Sequence, residues 1–595
     1  MKDNKIHIYR TRTKILLSFF VCILTLVIVR FFYLQIIQGN ELRELREQNI
    51  NAFEYIYPKR GRIISRDGTV LAEDRKVFSL AIDIEQKPSE QSINKLADLF
   101  SEKIIVEDLR LKVGNSIRFR RTEIVINKLT QEDLAKYLVS GADITGFSVI
   151  EGYERQYNSH PSIFHVLGHM GYINNSDVKY FSPRISEYNS KLWSKVGKSG
   201  LERVYEQKLQ GEHGKRFFQR NARGDRRVVT DISPFREGED LSISIDFEAQ
   251  KLAYELMDER KGSVVVIDLQ DFSIPVAIST PSISANDLRD ISSSQYQDLL
   301  NDPARPLFNR AFMGLYPPAS TIKPLLTIFA LNNGYTNWDE TIFDDGFFRF
   351  EEEERIFNAW REGGHGLTDL EKALVESSNP FFMNLSIRYE KNLFVEFLKS
   401  SSFGSKLCED CYPHQFSPLI DDNWKYKNFG KELYKGDFIN LGVGQGYMLT
   451  TPLHLSLISG ILAKKGKYEL PYLVAKKQNK LSVIEDITDE DWNKLQSSLI
   501  DVIYSPNGTG YRINAGELKL AGKSGTAQVV DINSREEYDE VRVNPLLRDH
   551  AIFIGYAPYD DPRYSIAVIV ENGESGGRVA GPIAKKVLEE LLNDF

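Results

Sequence analysis

Three short groups of residues carry the side chains that can turn a serine into a nucleophile. Ser320 is followed one helical turn later by Lys323, and Ser377-Ser-Asn379 and Lys523-Ser-Gly-Thr526 come later in the chain. Residues three apart share a helical face, so the lysine amine can reach the serine hydroxyl and take its proton. The first group therefore predicts nucleophilic catalysis, with the other two groups as candidate partners.

Lys323 can act as a base only while its amine is neutral. An unperturbed lysine has a pKa near 10.4, and lowering it by about three units corresponds to roughly 4 kcal/mol. Burial or a second cation supplies such a shift, because both disfavour the charged amine. A second lysine is therefore expected close to Lys323.

Each motif is too short to be specific by itself. The Ser-x-x-Lys spacing recurs at Ser92–Lys95, and Lys-Ser-Gly recurs at Lys198–Gly200. Local context is more informative: Ser320 follows two prolines and opens an apolar helical segment, Ser377 ends a helical run, and Lys523 lies on a predicted strand. The order and setting of the three groups favour one shared site.

Strands at both ends of the second half of the chain enclose a long helical region. Strands are predicted at 262–269, 274–280, 518–530, 551–557 and 564–571, and a final helix at 583–592. One antiparallel sheet flanked by helices, completed by distant parts of the chain, fits this pattern. We therefore predict an α+β fold.

An apolar segment near the N-terminus has the length of a membrane span. Residues 15–37 carry a single charge, Arg30, and at about 1.5 Å per helical residue they extend roughly 35 Å. The residues that follow do not fit a signal-peptidase site, so cleavage is not expected. Five basic residues precede the span, namely Lys2, Lys5, Arg10, Arg12 and Lys14. This bias predicts a single-pass inner-membrane protein with a cytoplasmic N-terminus and a periplasmic bulk.

Composition excludes some classes of protein and of binding partner. The chain has 595 residues and a formal net charge of −8, which argues against a nucleic-acid partner. The chain has only 3 cysteines, too few for a fold that is held together by disulfides. A turn-rich stretch at 231–238 precedes a strand-like segment and predicts a domain boundary near residue 237.

The three motifs, in this order, resemble those of penicillin-binding proteins and class A β-lactamases. Nearly the whole chain is similar to class B penicillin-binding proteins, including Arg60–Gly68, where Ser65 replaces an aspartate, and Gly200-Leu-Glu202. Tyr316–Pro324 and Gly444-Gln-Gly-Tyr447 resemble the elongation-specific subfamily.

The resemblance implies a domain plan and an activity. Residues 1–14 would be a cytoplasmic tail, 15–37 the transmembrane helix, 38–236 a noncatalytic pedestal of the dimerisation type, and 237–595 the transpeptidase domain. The enzyme would be a serine peptidoglycan D,D-transpeptidase that crosslinks stem peptides during cell elongation and rod-shape maintenance. β-Lactams would acylate it as stalled substrate mimics.

Roles for the catalytic residues follow from the same resemblance. Ser320 would attack the carbonyl between the two terminal D-alanines, and Lys323 would be the acylation base. Ser377 would relay the proton to the leaving amine. Lys523 would supply the second positive charge that helps to keep Lys323 neutral.

The resemblance also assigns substrate-binding residues. Asn379 would orient the donor peptide, and Thr526 would attract the terminal carboxylate together with Lys523. Ser524 and Gly525 would complete the binding strand, and the backbone amides of Ser320 and Thr526 would bind the oxyanion.

No cofactor is expected, and no metal is assigned. Some family members hold a metal beside the active site through two aspartates, a histidine and a cysteine. Here Asp344 or Asp345 and His365 match, but Ala359 and Ser378 stand at the other two positions. His365 is therefore expected to hold a loop by hydrogen bonding.

Cys408-Glu-Asp-Cys411, followed by His414, leaves three states open. The pair can form a local disulfide, remain as free thiols, or contribute half of a zinc site, for which no second ligand pair exists.

Other functions must be weighed against the transpeptidase. A serine D,D-carboxypeptidase or β-lactamase needs a water placed to release the acyl group, and no deacylation glutamate is recognisable. A penicillin receptor needs a cytoplasmic signalling domain, which the short N-terminal tail cannot form. A noncatalytic scaffold that activates a wall polymerase would not need Ser320. Expected partners are stem peptides, β-lactams, the membrane, the rod-shape membrane glycosyltransferase and other elongation-complex proteins.

Overall fold

The computed structural model describes most of the chain. The described residues are 2–38, 51–56, 58–83, 86–119, 122–140, 144–181, 195–220, 226–232, 235–289, 291–350, 355–474, 481–484, 487–530 and 535–593. Ser233 and Pro234, within the predicted domain boundary, lie outside these ranges.

The chain divides into two compact units. The first unit contains Met1–Arg60, Asp74–Glu154 and Gln210–Gly238. The second unit contains Gly61–Glu73, Arg155–Leu209 and Glu239–Phe595, and it carries all three predicted motifs.

The α-helices are numbered here in chain order. They are α1 Lys2–Phe32, α2 Glu90–Leu99, α3 Val106–Phe119, α4 Gln131–Ser140, α5 Phe164–Leu167, α6 Asn175–Phe181, α7 Gly200–Val204, α8 Glu206–Gln210, α9 Phe247–Leu256, α10 Ser293–Asn301, α11 Arg310–Met313, α12 Lys323–Asn332, α13 Leu370–Val375, α14 Asn379–Ser386, α15 Lys391–Ser400, α16 Asp422–Phe429, α17 Lys435–Leu441, α18 Pro452–Ala463, α19 Asp489–Tyr504, α20 Arg535–Val541 and α21 Gly581–Asn593.

The strands are numbered in the same way. They are β1 Asn51–Ile56, β2 Ile63–Ile64, β3 Val70–Ile82, β4 Ile124–Ile126, β5 Phe147–Tyr157, β6 Met170–Tyr172, β7 Lys195–Gly197, β8 Gly214–Arg220, β9 Arg226–Ile232, β10 Leu241–Ser242, β11 Gly262–Asp268, β12 Val276–Thr280, β13 Ile342–Asp344, β14 Phe347–Phe350, β15 Arg355–Asn358, β16 Gly366–Thr368, β17 Lys467–Tyr468, β18 Ser482–Val483, β19 Ala521–Ala527, β20 His550–Ala557 and β21 Tyr564–Val570.

The N-terminal segment is a continuous helix with the properties of a membrane span. The apolar stretch Arg12–Ile37 has a mean hydropathy of 2.7, and none of it is buried within the protein. A helix of this length and composition can cross the hydrocarbon core of a bilayer. The predicted apolar helix over 15–37 is therefore confirmed.

The first unit has its own hydrophobic core. Helices α2, α3 and α4 contribute side chains such as Leu96, Val113 and Tyr137, which join Leu80 of β3 and Ile126 of β4. A separate antiparallel sheet has the strand order β1-β8-β9.

The second unit is built around one five-stranded antiparallel sheet in the order β12-β11-β21-β20-β19. Successive side chains of a strand point to opposite faces of the sheet, and two hydrophobic core clusters contact β11. Val265 and Ile267 belong to the first cluster, and Val264 and Val266 belong to the second. Helix α18 packs in the first cluster and α21 in the second. The predicted α+β class is confirmed.

Two strands are shorter than predicted, for local reasons. The strand predicted over 518–530 is confined to β19, because Gly516–Leu518 forms a 3-10 helix and Lys519 has a φ of 55°. The strand predicted from residue 274 starts at Val276, directly after Pro275, which has no N–H to donate to a ladder.

Candidate active site

Ser320 lies in a tight turn at the entrance to helix α12. The 3-10 helix Ala319–Ile322 runs directly into α12, and Ser320 is half-buried within it. Ala319 has a φ of 50°, which is costly for a residue with a side chain. Its N–H donates to the Gly444 carbonyl at 2.8 Å, and this contact holds the turn.

Lys323 is fully buried one turn beyond Ser320, with its amine facing the second motif. Nζ donates to the carbonyl of Ser377 at 3.0 Å and to Oδ1 of Asn379 at 2.8 Å, and it lies 3.4 Å from Ser377 Oγ. Within the described ranges, no hydrogen bond is recorded between the Ser320 hydroxyl and this amine. The candidate nucleophile and the candidate base share a turn, while the amine is directed at the Ser377 turn.

Ser377 occupies the connection between helices α13 and α14. It has a φ of 62°, in the left-handed region. Ser378 then caps α14, its Oγ accepting from the N–H of Phe381 at 3.3 Å, and Asn379 is the first residue of that helix. The turn presents the hydroxyl of Ser377 and the amide of Asn379 to the same amine.

The third motif lies on β19, at the edge of the central sheet. Lys523 is fully buried, and Ser524 Oγ donates to Thr509 Oγ1 at 2.8 Å. A side chain at Gly525 would approach Thr321 Cγ2 to 2.9 Å, so the absent side chain lets the strand pass close to the serine turn. Thr526 is exposed, and its carbonyl accepts from Gln445 Nε2 at 3.3 Å.

The electrostatic environment favours a neutral Lys323. Burial, followed by the charge of Lys523, lowers the pKa of Lys323 well below its usual value, while Asp344 opposes the shift. Burial lowers the pKa of Lys523 to about 7. The structure thus brings all three motifs into one neighbourhood, in which the charge of Lys523 disfavours the charged form of Lys323.

The two open sequence questions have structural answers. Cys408 and Cys411 are joined in a disulfide, so neither thiolate is available to a metal. Asp344 and His365 form a hydrogen bond of 2.7 Å between Oδ2 and Nδ1. Among the described residues, the one group of three or more candidate ligands is Cys408, Asp410 and Cys411.

Comparison with known proteins identifies the family. Residues 262–589 match the family described as "Penicillin binding protein transpeptidase domain", and residues 55–243 match "Penicillin-binding Protein dimerisation domain". The chain belongs to the penicillin-binding protein transpeptidase family. This confirms the family predicted from the three motifs.

Curated relatives are similar to this chain over most of its length. The chain is 32% identical over 554 residues to peptidoglycan D,D-transpeptidase MrdA of Haemophilus influenzae, covering 90% of this chain and 84% of that protein. It is 30% identical over 585 residues to the MrdA protein of Escherichia coli K12, covering 95% and 91%.

Solved structures of PBP2 proteins have the same fold. The Helicobacter pylori PBP2 from its complex with MreC superimposes with a TM-score of 0.78 at 27% identity, covering 92% of this chain and 99% of that one. Pseudomonas aeruginosa PBP2 in complex with WCK 5153 gives a TM-score of 0.66 at 27% identity, covering 91% and 97%. The predicted elongation-specific subfamily, penicillin-binding protein 2, is confirmed by these relatives.

Several residues at this site were not singled out from the sequence. Thr509 contacts Ser524 from the loop after α19, and its N–H donates to the Val375 carbonyl at 3.3 Å. Trp360 donates from Nε1 to the Ser377 carbonyl at 3.3 Å. No spacing signal links these residues to the motifs, because their proximity arises only when distant segments pack together.

Replacing Gly444 by alanine is expected to slow acylation by penicillin. A Cβ at this position would lie 2.2 Å from the Ala319 carbonyl oxygen, so the Ser320 turn must move. A displacement near 1 Å costs on the order of 10²-fold in rate. The measurement is the rate of labelling by a fluorescent penicillin.

Gly334→Ala is the matched control for this substitution. Gly334 has nearly the same φ, 68° against 69° for Gly444, but a Cβ there would meet nothing within 4 Å. Both variants carry the strain of alanine in the left-handed region, about 1 kcal/mol. Equal labelling rates in the two variants would show that the contact with Ala319 does not position Ser320.

Proposed function

We propose that Ser320 is the nucleophile of an elongation-specific peptidoglycan D,D-transpeptidase, with Lys323 as its base. The chain is a serine-type D-Ala-D-Ala transpeptidase and a target of penicillin. The observation that carries the assignment of roles is the buried amine of Lys323, which contacts the Ser377 turn and whose pKa is lowered by burial and by Lys523.

The first half-reaction forms an acyl-enzyme. Ser320 Oγ attacks the carbonyl carbon of the penultimate D-alanine and gives its proton to the neutral amine of Lys323. The backbone amides of Ser320 and Thr526 stabilise the oxyanion, and loss of one such donor typically costs about 10²–10³ in rate. The C–N bond then breaks, and the leaving amine of the terminal D-alanine receives the proton through Ser377.

The second half-reaction transfers the acyl group. An amine of a neighbouring stem peptide attacks the ester carbonyl, its proton passes to the basic site, and Ser320 leaves with its hydroxyl restored. Attack by water at this step would instead release a shortened peptide, which is the carboxypeptidase reaction.

Substrate binding falls to the residues around this centre. Oδ1 of Asn379 is occupied by Lys323, which leaves its NH₂ group to donate to a peptide carbonyl of the donor. Thr526 is exposed on β19 and, together with Lys523, is placed to bind the terminal carboxylate. We assign Ser524 and Gly525 to the same binding strand: Ser524 donates to Thr509, and the absent side chain of Gly525 lets the strand pass close to Thr321.

The domain plan and setting belong to the same proposal. An apolar helix anchors the chain in the membrane. We assign residues 1–14 to the cytoplasm, 15–37 to an inner-membrane span, 38–236 to a noncatalytic pedestal and 237–595 to a periplasmic catalytic domain. A complex with MreC, as in the Helicobacter pylori structure, and with the rod-shape membrane glycosyltransferase fits this setting.

Replacing Lys523 by methionine is expected to move the acidic limb of the acylation profile to higher pH. Lys323 accepts a proton only when neutral, so acylation rises with pH through its pKa. Removing the repulsion from Lys523 raises that pKa, and the midpoint of the limb follows. The measurement is the rate of penicillin acylation against pH, with the exposed Lys586→Met as control. A midpoint that stays fixed or moves to lower pH would contradict the charge coupling.

The activity is tested with the full-length chain in lipid nanodiscs supplied with uncrosslinked glycan strands that carry pentapeptide stems. Mass spectrometry of the digested product is expected to show crosslinked muropeptide dimers that are absent when a penicillin is added. Tetrapeptide monomers with released D-alanine, and no dimers, would assign the carboxypeptidase reaction instead. Pentapeptide stems left intact, with neither dimers nor tetrapeptides formed, would favour the scaffold function.

A further inference from the structure

A fully buried carboxylate lies behind the Ser377 turn. Asp344, at the end of β13, has no exposed surface. Its Oδ2 accepts from Ser378 Oγ at 2.6 Å and lies 2.7 Å from His365 Nδ1, and its Oδ1 accepts from the Gly346 N–H at 2.9 Å. Burial opposes ionisation, but these hydrogen bonds together lower the pKa of Asp344. The group is therefore a carboxylate, and because a carboxylate only accepts, His365 Nδ1 carries the proton.

The Ser377 turn requires such support. A non-glycine residue in the left-handed region is strained and persists only where its surroundings fix it. Within the turn, the Ser378 N–H donates to the Ala373 carbonyl at 3.0 Å. Two further contacts come from the segment that precedes helix α13. Trp360 donates to the Ser377 carbonyl, and Asp344 accepts from the Ser378 hydroxyl.

The position of this turn decides where the Lys323 amine lies. Three of the acceptors of that amine are on the turn: the carbonyls of Ser377 and Ser378, at 3.0 and 3.2 Å, and Oδ1 of Asn379. Asp344 bonds the side chain of the same Ser378 whose carbonyl binds the amine. A shift of Ser378 is thus transmitted to the base without any contact between Asp344 and the substrate.

A metal does not fit this place. His365 Nε2 is buried and has no hydrogen-bond partner among the described residues, which leaves one free ligand atom. The carboxylate, however, is already occupied by Ser378, His365 and Gly346, and residue 359 is an alanine, which offers no ligand. A structural zinc site takes four ligands. The hydrogen bonds of Asp344 therefore support the Ser377 turn without a metal ion.

We propose that Asp344 is a positioning residue for acylation, which fixes the turn of residues 377–379 through the Ser378 hydroxyl and thereby the Lys323 amine, without a metal ion. This inference deepens the proposed function and depends on it, because it assumes that Lys323 is the base.

The test separates binding from chemistry in two variants, Ser378→Ala and Asp344→Asn. Stopped-flow acylation by a chromogenic β-lactam gives the dissociation constant of the initial complex and the rate constant of the acylation step. We expect the acylation rate constant to fall by roughly 10- to 100-fold, as misplacement of a catalytic group does, while the dissociation constant changes by less than about threefold. The double variant should lose no more than the worse single variant, because both substitutions weaken the same hydrogen bond between Ser378 and Asp344.

Ser498→Ala provides the matched control. Ser498 is also fully buried, and its Oγ donates to a backbone carbonyl, that of Lys494, at 2.9 Å within α19. If Ser378→Ala and Asp344→Asn lower the acylation rate constant no more than Ser498→Ala does, the inference is overturned. Additive losses in the double variant would overturn it as well. Lack of acylation in the unaltered chain would instead overturn the proposed function.

A second measurement does not depend on any variant. Elemental analysis of the purified full-length chain is expected to find only substoichiometric metal, and chelation should leave the acylation rate constant unchanged. A stoichiometric metal whose removal slows acylation would overturn the inference.

Discussion

Replacing Ser320 by alanine is expected to lower the rate of acylation by penicillin by roughly 10⁴-fold or more. Removal of the nucleophile of a serine enzyme has an effect of this size. The substitution should leave stability nearly unchanged. Ser320 is half-buried, and no hydrogen bond of its hydroxyl is recorded within the described residues. The measurement is covalent labelling by a fluorescent penicillin, together with the melting temperature.

Ser92→Ala is the control for this prediction. Ser92 begins another Ser-x-x-Lys sequence of the chain, and it is buried in helix α2 of the first unit, where its Oγ lies 2.9 Å from that of Ser89. Its replacement can lower stability but should leave labelling intact. If Ser320→Ala were labelled as fast as the unaltered chain, the assignment of the nucleophile would be wrong.

Replacing Lys323 by methionine is expected to reduce acylation by roughly 10²- to 10⁴-fold, the usual contribution of a general base. Methionine fills similar space in the buried site but cannot take a proton. The pH profile gives a second readout. In the unaltered chain, acylation should rise with pH through the lowered pKa of Lys323, because only the neutral amine is a base.

The variant should lose this acidic limb, since the group that titrates is gone. The profile is measured as the acylation rate constant at a series of pH values, with the melting temperature recorded at each one. An unchanged limb in Lys323→Met would mean that another group is the base, and the mechanism proposed for Ser320 would fail with it.

Much of this molecule could be predicted from the sequence because the relevant signals are local. The apolar N-terminal helix needs only its own composition. The strands of the central sheet, such as β11, are continuous apolar segments because both of their faces are buried. The resemblance of the three motifs to a known family predicts that Lys523 acts on Lys323, and the charge of Lys523 does lower the pKa of Lys323.

Other features could not be read from the sequence because they depend on tertiary contacts. The left-handed conformation of Ser377 has no local signal, since serine does not favour it. The sequence matches Asp344 only to a ligand position of a metal site in the family, whereas its bonds to Ser378 and His365 depend on the pairing of β13 and β16 beside the turn. The spacing of Cys408 and Cys411 likewise does not distinguish a disulfide from free thiols or half of a zinc site.

The central claim is that one serine hydroxyl becomes acylated in this chain. In the most direct test, the full-length chain is incubated with a β-lactam and then digested with a protease. The peptides are analysed by tandem mass spectrometry. We predict a single acyl adduct on the peptide that contains Ser320, with fragment ions that place it on that residue. An adduct on any other residue, with Ser320 unmodified, would contradict the account.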